Sequence, residues 1–273
     1  MVHDIPFQQH RIHCKVEGAG ESVILLHGWP TNSRLWQAQL ESLQSSYRVI
    51  TPDWLGFGES DKPEGFSYTL AQMKNMLNTI LNHLLEPEEQ VTLVAHDIGG
   101  PPTVLWASEN QDRVKKLILL NTVIYPFKTP LDALSSWIIG IPVLKDIFVS
   151  QFGLKNVLNT NTKSKGLSQF IERILEVYKG VPNSVRIHTL EEPLRSVRPK
   201  EKSVLAEKFA QLAVPKHLII AKEDPLLYAH MQKLRKENPQ VPAHYIENCG
   251  HFIPIDQPEV LNKILLRLLL ENS

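Results

Sequence analysis

Four short segments of this chain carry side chains that can do chemistry together. The first is Val91-Thr92-Leu93-Val94-Ala95-His96-Asp97-Ile98-Gly99-Gly100, an apolar run of strand length that meets an acidic residue and then two glycines. Small residues at Ala95 and Gly99 let a strand and a following helix approach closely. The residue between them is then held on a tight turn with its side chain presented at the strand end. Here that turn presents the carboxylate of Asp97. A carboxylate attacks an sp³ carbon bearing a leaving group and becomes an alkyl ester, which divides one hard displacement into two easier steps. The ester must next be hydrolysed by an activated water. An aspartate after a strand can also do no more than cap the next helix, so the assignment depends on the other three segments.

The base for that water is His251, in Ile246-Glu247-Asn248-Cys249-Gly250-His251-Phe252. Of the eleven histidines it alone follows the last predicted strand with a glycine directly before it. Its orienting acid is Asp224, in Leu218-Ile219-Ile220-Ala221-Lys222-Glu223-Asp224-Pro225. Glu223 is the neighbouring rival, and Asp224 is preferred because it occupies the turn itself. Such an acid accepts from one ring nitrogen, sets the tautomer and stabilises the imidazolium. The fourth segment, Val23-Ile24-Leu25-Leu26-His27-Gly28-Trp29-Pro30, is a buried strand ending in a turn. The backbone N–H groups of Trp29 and Ile98 are expected to form an oxyanion hole for ester hydrolysis. Trp29-Pro30 is a candidate cis peptide, and His27 is assigned to the turn.

The elements that must position these residues alternate. Strands are predicted at 12–16, 22–26, 47–52, 91–95, 116–121, 217–221 and 243–246, and helices at 35–44, 70–85 and 258–270. Alternation of this kind calls for right-handed crossovers and an α/β fold with a mostly parallel, buried central sheet flanked by helices. Between Thr122 and Leu212 the pattern is helical and irregular, punctuated by prolines, and far longer than an ordinary loop. It predicts an inserted helical cap over one edge of the sheet, which divides the chain into core residues 1–121, a cap at 122–212 and core residues 213–273.

Composition narrows the partners. With 29 Lys and Arg against 29 Asp and Glu, the chain carries no electrostatic footprint for nucleic acid or an anionic membrane. A small neutral organic substrate and water are the expected partners, with the protein a monomer or a homodimer. Cys14 and Cys249 have no metal-ligand spacing around them and read as reduced, packed thiols. No cofactor or metal is called for. The first residues lack the apolar run and cleavage site of a secretory signal, and no apolar stretch is long enough to span a bilayer, so a cytoplasmic protein is expected.

The segments HGWP, PDWLGFGESDKP, AHDIGGP, KEDPLL and CGHFIPIDQPEVL together resemble the α/β-hydrolase superfamily, and within it the aspartate-nucleophile branch of epoxide hydrolases and haloalkane dehalogenases. The resemblance covers both core segments and is loose across the cap. It implies the α/β-hydrolase fold with the order nucleophile, acid, histidine, which Asp97, Asp224 and His251 follow. Dehalogenases of this branch usually carry a tryptophan just after the nucleophile and often an asparagine after His-Gly; here those positions are Ile98 and Trp29. In some dehalogenases the acid follows the earlier strand, where this chain has Asn121. The resemblance therefore implies an epoxide hydrolase that makes a diol, with haloalkane or haloacid cleavage as the alternative and a non-catalytic ligand-binding homologue as a third. Epoxide hydrolases use cap tyrosines to hydrogen-bond the opening oxygen. Tyr178 is the first candidate and Tyr125 the second, with the indole of Trp137 or of Trp29 as the donor for a halide and His188 as a further donor.

Overall fold

The computed structural model describes residues 1–125, 150–163, 168–196 and 199–271. The chain opens with β1 (Val2–Phe7) and β2 (His10–Glu17), an antiparallel hairpin turned at Gln8, whose φ of 55° is left-handed. β1 is not among the predicted strands. It buries only Ile5 and Phe7, too few inward positions for its alternation to stand out.

Next come β3 (Ser22–Leu26), α1 (Gln37–Leu43), β4 (Arg48–Pro52), α2 (Leu70–Leu84), β5 (Val91–Asp97), α3 (Gly100–Glu109) and β6 (Val114–Thr122). Four helices follow, α4 (Gln151–Thr160), α5 (Ser168–Glu176), α6 (Asn183–Ser196) and α7 (Pro199–Gln211). The sheet then resumes with β7 (Lys216–Ala221), α8 (Tyr228–Glu237), β8 (Ala243–Ile246), α9 (Ile253–Asp256) and α10 (Pro258–Leu270).

The strands form one eight-stranded sheet in the order β1-β2-β4-β3-β5-β6-β7-β8. Only the β1–β2 and β2–β4 pairings are antiparallel. Every residue of β3 and β5 is buried, which is why both read as unbroken apolar runs rather than alternating ones. The flanking helices earn their place by periodicity. In α2 the side chains of Leu70, Met73, Met76, Leu77, Ile80, Leu81 and Leu84 form one buried stripe, and the Thr69 hydroxyl caps its first turn by accepting from Gln72 N–H. At the other end of the chain, the buried Lys116 ammonium donates to the Leu268 and Glu271 carbonyls and so places a cation on the negative end of α10. Trp36, Trp54 and Trp106 are all core residues.

Because β3, β5, β6 and β7 run parallel, their C-terminal ends share one edge, where parallel α/β sheets hold ligands. The inserted helices touch that edge. The Trp29 indole donates to the Leu190 carbonyl of α6 at 2.8 Å, Arg34 donates to the Arg173 carbonyl of α5 at 2.8 Å, and the His251 N–H donates to the Asn161 carbonyl just beyond α4 at 2.8 Å. Among the described residues, no helix is long and apolar enough to cross a membrane, and no group of three His, Cys, Asp or Glu is placed to hold a metal ion. Cys14 and Cys249 are both buried free thiols.

Candidate active site

Asp97 is the last residue of β5 and has a left-handed φ of 51°. An L-residue in that region is strained by about 1–3 kcal/mol, and the surroundings hold it there. The Thr122 hydroxyl donates to the Asp97 carbonyl at 2.6 Å. Gly28 leaves room for the side chain, since a Cβ at that position would lie 2.3 Å from Asp97 Cβ. Gly100 opens the helix start, where a Cβ would lie 1.8 Å from the Thr122 hydroxyl oxygen. The close approach inferred from the small residues around Asp97 is met at Gly99, where a Cβ would lie 2.8 Å from the His27 carbonyl oxygen and 3.1 Å from that of Leu26 at the end of β3.

The carboxylate is divided between two environments. Trp29 N–H donates to Oδ1 at 2.8 Å, and Ile98 N–H also hydrogen-bonds the carboxylate. Oδ2 stands 3.8 Å from His251 Nε2. Burial pushes the Asp97 carboxyl above its ordinary value, while the His251 charge and the two backbone N–H groups pull the other way. The Trp29 N–H, one of the two expected oxyanion-hole donors, therefore lies against Oδ1, while Oδ2 is left toward the imidazole. In an ester made through Oδ2, Oδ1 becomes the carbonyl oxygen, already next to the Trp29 N–H that would stabilise it as an oxyanion.

His251 and Asp224 are both buried, and Nδ1 of the histidine hydrogen-bonds Asp224 Oδ2 at 2.9 Å. Asp224 Oδ1 accepts from the N–H groups of Leu226 at 2.7 Å and Leu227 at 3.1 Å. Burial alone would raise the Asp224 pKa; the His251 charge and hydrogen bond, with these two N–H groups, outweigh it and bring the carboxyl down to about 2. Burial also opposes a charged imidazole, yet Asp224 foremost, with Asp97 and Asp256, raises the His251 pKa above its ordinary value. Glu223, the rival acid, accepts instead from Cys249 N–H at 2.6 Å.

Sequence reasoning noted Asn121 only as an amide. β5 and β6 slip in register here, pairing His96 with Leu120 and then Asp97 with Thr122, so Asn121 bulges out with a φ of 27°. Its Oδ1 accepts from Ala221 N–H at 3.1 Å and its Nδ2 donates to Asp224 Oδ2. His96 also escaped notice. Its ring lies 4.7 Å from that of His251 and its Nε2 pairs with the His251 carbonyl at 2.9 Å. Burial and the His251 charge keep it neutral, with a pKa of about 3.

The side chains of the other described candidates have partners of their own. Tyr178 is buried, but its hydroxyl is directed at the Gly56 carbonyl at 3.4 Å, and the carboxylate that acts on it is Asp53 rather than Asp97. The Tyr125 hydroxyl pairs with Glu237 and Asn238 at the end of α8, and the Lys233 ammonium lies 4.2 Å over its ring. Helical periodicity marks a buried face without saying which way a hydroxyl on it points, and the partners of these two hydroxyls are Gly56, Glu237 and Asn238. His188 Nε2 pairs with the Phe66 carbonyl at 2.6 Å, and the Trp29 indole is committed to Leu190. Trp137 lies outside the described residues. Trp29-Pro30 is cis. His27 is a turn residue: Nδ1 donates to the Gly28 carbonyl at 3.0 Å, Nε2 accepts from Trp54 N–H at 3.1 Å, and burial lowers its pKa. Asp53 likewise stabilises a turn through Ser33 and Glu59 N–H.

A buried carboxylate on a strained strand-to-helix turn, beside an Asp-oriented histidine, matches the arrangement of a nucleophile elbow. Over residues 21–258 the sequence matches the alpha/beta hydrolase fold family. The chain belongs to that family. Similar proteins include a cis-3-alkyl-4-alkyloxetan-2-one decarboxylase of Shewanella oneidensis, 30% identical over 95% of this chain and 88% of its own length. A soluble epoxide hydrolase of Corynebacterium sp. is 26% identical over 94% of this chain and 93% of its own. The haloalkane dehalogenase DatA from Agrobacterium tumefaciens C58 superposes with a TM-score of 0.85 at 23% identity, covering 100% of this chain and 97% of that one. This α/β hydrolase is therefore a member of a hydrolase family whose relatives include epoxide hydrolases and haloalkane dehalogenases.

Proposed function

We propose that this α/β hydrolase attacks an sp³ carbon with Oδ2 of Asp97, forms an alkyl ester and hydrolyses it with a water activated by His251, which Asp224 orients. One observation carries this reading: Trp29 N–H holds Oδ1 of Asp97 at 2.8 Å while Oδ2 faces His251 Nε2 at 3.8 Å. The helices between β6 and β7 act as the cap over this centre. Trp29 and Ile98 supply the oxyanion hole, and, with the Tyr178 and Tyr125 hydroxyls directed at other partners, the alkoxide left by an opening epoxide takes its proton from water.

The substrate class is a small neutral organic molecule with a strained oxygen ring, first of all an epoxide opened to a diol. A halide leaves best into N–H donors, and the surroundings of Asp97 argue against it: Ile98 has no side-chain donor and the Trp29 indole is paired with Leu190. An oxetan-2-one is the second reading. Attack at its ring sp³ carbon expels a carboxylate, which leaves without a proton donor, and the commitment of Trp29, Tyr125 and His188 to other partners favours such a substrate. The likeness to the Shewanella oneidensis decarboxylase supports it.

Single turnover in ¹⁸O-water, followed by mass analysis of the active-site peptide, tests the route. Label in the Asp97 carboxylate is expected, and label found only in the product sinks it. Incubation with epoxides, cis-dialkyl oxetan-2-ones and haloalkanes separates the classes: an epoxide gives the diol, a haloalkane gives the halide, and an oxetan-2-one gives the 3-hydroxy acid if water cleaves the ester, or the alkene if the freed carboxylate leaves as carbon dioxide and expels the Asp97 carboxylate.

A further inference from the structure

His251 is held from three directions. Asp224 holds its ring, His96 holds its carbonyl, and its backbone N–H donates to the Asn161 carbonyl at 2.8 Å. The third tie leaves the sheet. Asn161 caps the C-terminal end of α4, whose last carbonyls find no partner inside the helix. Asp256, the last residue of α9, closes the same seam with a charge. Its Oδ2 accepts from Gly250 N–H at 2.8 Å, its Oδ1 accepts from the Thr162 hydroxyl, and Lys163 N–H lies 3.0 Å from both oxygens. One carboxylate thus joins the residue before His251 to the chain leaving α4. The seam has no slack, because a Cβ on Gly250 would lie 2.5 Å from the Asn161 carbonyl oxygen and 3.0 Å from Asp256 Oδ2.

We propose that Asp256 is a positioning residue for His251, clamping the Gly250–His251 loop to the end of α4 so that the imidazole reaches the Asp97 ester only while the inserted helices are seated. The proposal rests on the reading of His251 as the base for ester hydrolysis. Attack by Asp97 needs no base, whereas hydrolysis does. Loosening the clamp therefore slows the second step and leaves the first alone, and ester accumulates on Asp97.

Two measurements on the full chain test it, in Asp256→Asn and in the milder Thr162→Val. The first needs no substrate: NMR titration of the His251 ring and hydrogen exchange of the Gly250 and His251 N–H groups. The ring is faced by Asp97 and His96 from β5, by Asp224 from the loop after β7 and by Asp256 from α9. With Asp256 neutral and the other groups in place, the titration moves to lower pH. Both N–H groups exchange faster by on the order of tenfold as the loop opens locally. Thr162→Val removes one tie and no charge, so it speeds exchange and leaves the titration in place.

The second measurement is single-turnover mass analysis with styrene oxide as probe. Hydrolysis slows on the order of 10- to 100-fold in Asp256→Asn, in the same direction but less in Thr162→Val, and ester formation stays within about twofold. Unchanged exchange in both variants overturns the proposal, as does equal slowing of both steps. If Asp256→Asn does not fold, Thr162→Val carries the test alone. The clamp stands, and the assignment of Asp97 chemistry falls instead, if exchange changes as expected while His251→Gln forms no Asp97 ester with any probe.

Discussion

The backbone amide of Trp29 donates to Oδ1 of Asp97 at 2.8 Å. A single bond thereby makes the two carboxylate oxygens unlike, and in the proposed mechanism it marks Oδ1 as the oxygen that stays with the enzyme and Oδ2 as the one that forms the ester. Removing the carboxylate removes the first step altogether. Asp97→Asn is expected to lower turnover by about 10⁴-fold or more, on the scale of losing a triad member, with the fold unchanged by circular dichroism. Retained turnover after correction for deamidation would exclude Asp97 as the nucleophile.

His251→Gln separates the steps. One equivalent of an epoxide probe is expected to add to Asp97 and stay there, visible as an intact-mass increase equal to the probe. A variant that turns over normally would show that another group activates the water.

Gly28→Ala tests the space beneath the carboxylate. The added methyl would lie 2.3 Å from Asp97 Cβ, so the side chain must move. A displacement of about 1 Å costs roughly 100-fold in turnover, with destabilisation of about 1–3 kcal/mol from overpacking. Kinetics and urea unfolding read the two effects separately.

The pH profile follows from the site charges. His251 acts as a base only when neutral, and Asp224 foremost holds its pKa above the ordinary 6.5 against the effect of burial. Activity limited by hydrolysis should therefore fall on the acid side with a midpoint above 6.5, and Asp224→Asn should move that midpoint down. Stability carries the linked signature. The contribution of Asp224 is complete above its ordinary 3.8 and is lost as pH falls through about 2. That of His251 is complete below 6.5 and is lost as pH rises through its raised folded value. Urea unfolding across pH reads both.

Tyr178→Phe and Tyr125→Phe should change kcat by less than about threefold, because a hydroxyl 3.4 Å from a carbonyl, or paired on α8, makes no bond that strengthens as the substrate reacts. A fall of two orders of magnitude in either variant would assign that hydroxyl to the leaving oxygen.

What was legible in the sequence was local. Asp97 could be singled out because a strand, small flanks and a turn lie within ten residues, and His251 because Gly250 precedes it. Even so, the reason for Gly250 was hidden, since the Asn161 carbonyl that crowds it comes from a distant helix. His96, Asn121 and, through Thr162 and Lys163, Asp256 have partners far away in the chain, and residue type alone does not report such pairing. The tyrosines show the converse. Tyr178 falls on a buried helix face as its pattern suggests, yet packing against the loop at Gly56 decides where its hydroxyl ends.

The bond from the Trp29 indole to the Leu190 carbonyl has a bearing on how this enzyme can diversify. One residue contributes its main chain to Asp97 and its side chain to α6, so the helical insert is not an interchangeable module. A graft of the corresponding helices from a relative must bring a carbonyl to the same point or be accompanied by a change at Trp29. New substrate ranges reached by swapping these helices would then carry a cost in rate that substitutions confined to the pocket wall avoid.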